Sequence, residues 1–368
     1  MKNKKQLLAL LLILTMIMSS FMFTGCSKDK ETAGQAEAPA EVEIVDDAGR
    51  TVTVPSPSKI DKVYFTSPIG MIMVYTLAPE KMAGTSMKLT DNELKYLDES
   101  CKDLEFLGGV QAGAELNKEL ILSSGTQVIF SMGPTPVNDN SAKDADELQE
   151  QLGIPVVVVN GIFDTMPDSY KLMGKILGVE ERATKLADYC NNVLKDVKEK
   201  VSKIPEKDRI TVYYAEGPDG LSTEPDTSGH AAVLKFANAD NVATVEGRPG
   251  SGMSPVSLEQ VLAWDPQVII SWGDQRGGAY SIIKSNPDWA NIDAVKNDRV
   301  YEMPNTPFSW MDRPPSVNRF LGIQWIANML YPEAYDVDMV KVVQEFYDLF
   351  YHVSLTKDEA SDLLKTAM

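Results

Sequence analysis

The sequence predicts an α/β protein of two similar lobes, each with a central, mainly parallel sheet, joined by one long α-helix with a ligand cleft between them. Three observations carry this expectation. Short β-branched runs alternate with helical stretches in both halves of the chain, the grammar of parallel sheets covered by helices. One long helical stretch separates the halves. The halves also echo each other, since "AELNKELILSSGTQVIFSMG" and "VSLEQVLAWDPQVIISWG" each run from a helix into an apolar strand that ends in Ser-X-Gly.

Residues 1–25 open with Lys2, Lys4 and Lys5, continue as an uncharged apolar run and end in small residues. This is the layout of an export signal, and the run is at the short end for spanning a bilayer. "FTGC" at 23–26 resembles the cleavage box of bacterial lipoproteins, with Phe23 where leucine is usual, so Cys26 is the expected lipidation site. Residues 26–41 are polar and rich in small residues with no apolar period, and read as a flexible tether.

The chain has 35 basic and 53 acidic residues, and loss of the signal removes three lysines and no acid. A surface this acidic repels nucleic acid and anionic lipid, which leaves the lipid anchor as the expected membrane link. Beyond Cys26 only Cys101 and Cys190 remain. They could form one disulfide or stay as two structural thiols, and the thiols are the simpler expectation. With two histidines, His230 and His352, a Cys/His metal cluster is not expected.

Residues 42–165 are expected to form the first lobe. "KVYFTS", "QVIFSMG" and "IPVVVVN" are β-branched and aromatic and end in turn residues, as buried strands do. From 166 to 204 the pattern is helical, interrupted by Gly174 and Gly178. After Val179 the apolar residues Ala183, Leu186, Cys190, Val193, Val197 and Val201 step by three or four. That spacing predicts one rigid helix between the lobes. Residues 205–368 are expected to form the second lobe and tail helices, with strands in "RITVYYAEG", "PQVIISWG" and "DRVYEMP" and a helix from His230 to Ala237. "SVNRFLGIQWIANMLYP" and "DMVKVVQEFYDLFYHV" read as closing helices.

Several segments, in this order, resemble the substrate-binding lipoproteins of ABC importers for iron chelates, cobalamin, haem and, in one branch, molybdate or tungstate. They are "VEIVDDAGRTVTVPSPSKIDKVYFTSP", "LGGVQAGAELNKELILSSGTQVIFS", "LGIPVVVV", "GLSTEPDTSGHAAVLKFANADNVA", "VSLEQVLAWDPQVIISW" and "AVKNDRVYEMP". The resemblance implies a non-enzymatic, monomeric, extracytoplasmic receptor of limited hinge motion, docking on a permease coupled to an ATPase. Members often carry a docking glutamate in the first helix of each lobe. The matching positions here are Ile72 and Ala232. Docking through other carboxylates, such as Glu80 or Asp240, or on an atypical permease, is therefore expected.

Ligands of open α/β lobes meet the carboxyl ends of strands. Those loops offer Ser67, Met132, Asn160, Glu216, Trp272, Arg276, Tyr280, Phe308, Trp310 and Arg313. Arg313 in "PFSWMDRPPSVNRFLG" has a planar donor fork suited to an anionic oxygen, or alternatively a salt bridge to Asp312. Trp310 could stack on an aromatic chelate or plug the hinge. On the ligand-facing reading, Arg313→Ala weakens binding and leaves the fold intact. His230 stands at a helix start, where backbone donors attract anions. Arg248 lies in the glycine-rich "RPGSGMSP", whose spacing does not match a phosphate loop. Trp272, Arg276 and Tyr280 follow a buried strand directly. The expected ligand set is thus Trp310, Arg313, Trp272, Arg276, Tyr280, His230, Ser67 and Arg248, with no catalytic group, metal ligand or cofactor.

The expected function is capture of an iron chelate, such as a siderophore or haem-like complex, for import. An oxyanion such as molybdate or tungstate ranks second, and a bare transition metal third because the ligand inventory is poor in histidine. A tethered sensor or adhesion module of the same fold is the alternative outside transport. A hydrolase is not supported, since neither Gly-X-Ser-X-Gly nor His-Glu-X-X-His occurs.

Overall fold

A computed structural model describes residues 39–109, 116–248 and 252–368. The export signal, Cys26 and nearly all of the tether lie outside the described residues. The first described element is an antiparallel hairpin outside the expected strands, β1 (Glu41–Val45) with β2 (Thr51–Pro55), whose alternating Ile44, Val52 and Val54 are buried. Its turn is tied to the first sheet by polar groups. The Val158 N–H donates to Asp46 Oδ2 at 3.0 Å and the Asn160 N–H to Asp47 Oδ2 at 2.7 Å.

The first sheet has three parallel strands in the order β3 (Val63–Phe65), β4 (Val128–Gly133) and β5 (Val156–Asn160). They coincide with the three expected runs and are buried on both faces, as β-branched parallel strands require. α1 (Pro68–Leu77) starts from Ser67, whose hydroxyl accepts the Gly70 N–H at 3.5 Å. All ten of its residues are buried, Ile72 among them. Ile72 therefore has no surface to offer a partner, whereas Glu80 and Asp240 are exposed and Ala232 is half-buried. α2 (Asp139–Leu152) covers β5.

Two helices follow where one interrupted stretch was expected: α3 (Met166–Leu177) and α4 (Glu180–Val201). Gly178 makes the break, at φ 72° in the left-handed region that favours glycine. Gly174 does not interrupt anything. It lets the two helices touch, because a Cβ there would meet the Ala183 Cβ at 2.2 Å. The 22 residues of α4 span about 33 Å at 1.5 Å per residue. Its buried stripe is Ala183, Leu186, Ala187, Cys190, Val193, Val197 and Val201, which includes all six residues the spacing picked out. Cys101 and Cys190 are separate buried thiols, not a disulfide.

The second sheet is also parallel, in the order β11 (Val300–Glu302), β10 (Val268–Ser271), β6 (Thr211–Ala215) and β8 (Asp240–Asn241). A two-residue ribbon, β7 (Ser222–Thr223) with β9 (Ser254–Pro255), sits beside it. The expected helix at 230–237 is a tight turn, Gly229–Ala231, followed by a short helix, Ala232–Phe236. α5 (Arg319–Leu330) is almost wholly buried rather than amphipathic.

The tail consists of α6 (Met339–Phe346), a wider helical turn Tyr347–Tyr351, and α7 (Lys357–Leu364). It crosses back to the first lobe. Tyr75 Oη donates to the Tyr351 carbonyl at 2.8 Å and accepts the Asp98 N–H at 2.9 Å. Arg182 on α4 reaches the Thr76 carbonyl at 2.6 Å and the Leu349 carbonyl at 2.8 Å. Its guanidinium also lies 3.1 Å from the ring of the exposed His352, which packs edge-on against Tyr75 with centroids 5.8 Å apart. Arg182→Ala leaves two carbonyls at this junction without their donor. It is expected to lower stability by about 2 kcal/mol, read from the midpoint of urea unfolding.

Candidate functional site

The loops at the carboxyl ends of β6, β10 and β11 assemble one polar cluster. Glu216 follows β6 directly, and a turn closed by the Glu216 N–H on the Ser222 carbonyl, 2.8 Å, brings Glu224 beside it. Gly252 allows the backbone to pass Glu224, since a Cβ there would lie 2.0 Å from its Oε1. The Met253 N–H then donates to that oxygen at 2.6 Å. The segment from 303 to 318 is laced from within. The Ser309 hydroxyl accepts the Asp312 N–H at 2.9 Å, and Arg319 Nε donates to the Met311 carbonyl at 2.7 Å. Gly322 on α5 lets this segment lie flat, because a Cβ would meet the Trp310 carbonyl oxygen at 2.0 Å.

Arg313 occupies the centre, with its backbone at φ 59°. Its Nε is 3.0 Å from Glu216 Oε1 and 3.2 Å from Asp312 Oδ2, and its Nη2 is 2.6 Å from Glu224 Oε1. The three carboxylates have no exposed side-chain surface. Asp312 Oδ1 also takes His230 Nδ1 at 2.6 Å and lies 3.7 Å from Arg319. An ionised carboxylate only accepts, so Nδ1 of His230 carries the proton. Arg276 lies over the Trp272 ring at 4.8 Å and Arg313 over the same ring at 5.7 Å. Trp272 is fixed by donating to Tyr214 Oη at 2.7 Å. Arg276 donates to the Asp312 carbonyl at 3.3 Å, and to the Arg313 carbonyl and Asn305 Oδ1.

Burial sets the electrostatics. It pushes the Glu216 carboxyl up to about 8, against the pull of the neighbouring Arg313. Burial also lowers the Arg276 and Arg319 guanidiniums, and it pulls on Arg313, where Asp312 and Glu216 outweigh it and raise that group. Among the described residues, Glu216, Glu224 and Asp312 are the one acidic group whose oxygens lie close enough together, within 4.8 Å, to hold a metal ion. The Arg313 guanidinium already serves as their cation.

The structure brings together four of the eight expected ligand residues: Trp272, Arg276, His230 and Arg313. The other four lie elsewhere. Trp310 is fully buried, packed edge-on against Trp325 with centroids 6.3 Å apart, so its ring forms part of the core rather than a ligand wall. Ser67 is buried as the cap of α1 in the first lobe. Tyr280 starts a short helix and packs beneath the second sheet, with Lys284 over its ring. Arg248 is exposed and, among the described residues, reaches the Met253 carbonyl at 3.5 Å. Sequence reasoning placed Glu216 among the strand-end residues and Asp312 as a salt-bridge partner, but missed Glu224 and Arg319. Glu224 follows a strand of two residues, too short for any period to show.

The two lobes approach each other beside this cluster. A Cβ on Gly229, next to His230, would lie 3.9 Å from the carbonyl oxygen of Pro134, just past β4. A separate cavity of about 760 Å³, between α2 and strands β4 and β5, is lined by first-lobe residues alone, with Pro134 on its edge.

The model of the periplasmic binding protein family matches residues 128–307. A solved ABC transporter solute binding protein from Sulfurospirillum deleyianum is 33% identical, covers 88% of this chain and 99% of its own, and superposes with a TM-score of 0.80. The chain belongs to the periplasmic binding protein family. Within it, the chain is an ABC transporter substrate-binding protein of the two-lobe fold. The molybdate-binding protein MolA of Haemophilus influenzae is 30% identical over 201 residues, 54% of this chain and 55% of MolA. The solved MolA with molybdate shares the fold, with a TM-score of 0.68 at 24% identity over 86% of this chain and 99% of that chain. The Fe(3+)-citrate-binding protein YfmC of Bacillus subtilis is 23% identical over 300 residues, 81% of this chain and 89% of YfmC.

Two substitutions separate core from site. Trp310→Ala empties a packed position and is expected to cost about 3–5 kcal/mol in denaturant unfolding. Arg313→Ala is expected to weaken the fold as well as the site, because it strands buried carboxylates. A loss of about 3–5 kcal/mol, seen as a large fall in melting temperature, is expected.

Proposed function

We propose that this substrate-binding protein captures a small oxyanion of the molybdate or tungstate type and delivers it to a membrane permease and its ATPase. In this reading it works as a monomer outside the cytoplasm, held by lipid on Cys26, and docks through exposed carboxylates such as Glu80 and Asp240. The observation that carries the ligand reading is the pair Arg276 and Arg313 layered on one Trp272 ring at the strand ends, linked through Asp312 to His230. Guanidinium and imidazole N–H groups are donors to anionic oxygens. The close approach of Gly229 to Pro134 favours a small ligand over a broad metal–chelate disc. The 30% match to MolA points the same way.

A second reading, an iron–carboxylate chelate, is favoured by the Trp272 face and by the YfmC match, which extends over 81% of this chain against 54% for MolA. Calorimetry and melting curves on the chain without its export signal separate the two. Molybdate or tungstate is expected to raise the melting temperature, because a ligand of the native state stabilises it. Arg276→Ala is expected to weaken that binding by about tenfold or more, about 1.4 kcal/mol. A shift with ferric citrate alone would establish the second reading in place of the first.

A further inference from the structure

The cluster at the strand ends shares its cations unevenly among its buried carboxylates. Asp312 is well served, with His230, Arg319 and Arg313 all reaching it. Glu216 and Glu224 both depend on Arg313 for charge, at 3.0 and 2.6 Å. Among the described residues, the second carboxylate oxygen of each, Oε2, is buried with no hydrogen-bond partner, as is Asp312 Oδ2. Two buried carboxylates that share one guanidinium cannot both ionise cheaply where the dielectric is low. One proton held by the pair removes the conflict, and the titration then belongs to the pair rather than to one residue.

We infer that Glu216 is a proton-carrying positioning residue of the ligand site: it holds the Arg313 guanidinium in place, and its proton sets the charge that an arriving anion meets. Burial pushes the Glu216 carboxyl in the same direction, up to about 8. The groups around it are Arg313 and Asp312 from the 303–318 segment, Glu224 after β7, Arg276 after β10, and Tyr213 and Tyr214 of β6. His230 and Arg319 reach the cluster through Asp312. Both tyrosines are pushed upward by burial and stay neutral, so the proton in question is that of Glu216.

With the proton in place, the Glu216–Glu224 pair carries one negative charge and Arg313 cancels it. Without it, the pair is a net anion and repels an oxyanion dianion. Dianion capture therefore favours the protonated form and draws a proton from solvent onto a carboxylate oxygen of the pair, with no other bond made or broken. This consequence for binding rests on the oxyanion reading above, whereas the proton itself does not.

The sign of the stability effect follows from linkage. Glu216 keeps its proton to a higher pH folded than unfolded, so its contribution is full below about 4.5 and is lost as pH rises towards about 8. The test follows the melting temperature of the chain without its export signal, free of ligand, from about pH 5 to about pH 9, for the natural sequence and E216Q. The natural protein is expected to lose melting temperature across this window more steeply than E216Q. Calorimetry with sodium molybdate at a pH no lower than about 8, where the free pair has lost much of its proton, in two buffers of different ionisation heat, then counts protons. Proton uptake is expected, with affinity falling by up to about tenfold per pH unit above about pH 8, and E216Q is expected to flatten that profile. Equal melting slopes for the two proteins would overturn the inference, as would molybdate binding without proton uptake. A flatter melting slope in E216Q with no molybdate binding would uphold the proton and remove the oxyanion reading. If E216Q does not fold, E224Q takes its place, since it alters the same pair; an unchanged slope there overturns the inference equally.

Discussion

The second lobe depends on one guanidinium. Arg313 neutralises a pocket of carboxylates drawn from the end of β6, from the turn after β7 and from its own segment, so three stretches that do not adjoin in sequence are held by one side chain. Burying ions is costly, and such a cluster persists only where partners and hydrogen bonds are supplied at good geometry. The glycine at 252 and the ordered backbone from 303 to 318 exist to supply them. Arg276 adds to the same arrangement by donating to the Asp312 and Arg313 carbonyls while lying on Trp272. The features that make the pocket suited to an anion are therefore also those that hold it together.

The first lobe and the junction are governed by apolar packing instead. α1 is buried along its whole length, and α3 meets α4 closely enough that only glycine fits at 174. Phe346, Phe350 and Tyr189 stack where the tail reaches back across the molecule. Phe163 of the first lobe likewise packs on Phe236 and Phe320 of the second. Apolar contacts thus join the two lobes as well as filling each of them.

Much of the architecture was legible because its signals are local. Each main parallel strand is a β-branched run, and the stripe on α4 repeats at helical spacing, so period alone located them. The β1–β2 hairpin carries an alternating apolar pattern in which Ile44, Val52 and Val54 are buried, yet its strands were not among those expected; the two-residue ribbon has no pattern to read and is held by bonds such as those at Glu224. The site was half legible for a related reason. Strand ends pointed to Glu216, Trp272 and Arg276, but direction is a tertiary property. Trp310 and Arg313 stand three residues apart, yet one turns into the core against Trp325 and the other into the polar cluster. Proline and aromatic content marked the segment as stiff, and could not say which of its side chains faced where.

The tail contacts also order events in time. Tyr75 finds its acceptor at Tyr351, 276 positions later, and Arg182 finds one of its acceptors at Leu349, 167 positions later. A chain threaded outward from its amino end thus exposes α1 long before the segment that covers it emerges. The first lobe is completed only with the tail, and α1, apolar on every side, waits for the last helices to arrive. Emergence from the amino end therefore leaves a long interval in which the chain's most apolar helix is uncovered, the interval in which folding helpers would matter most.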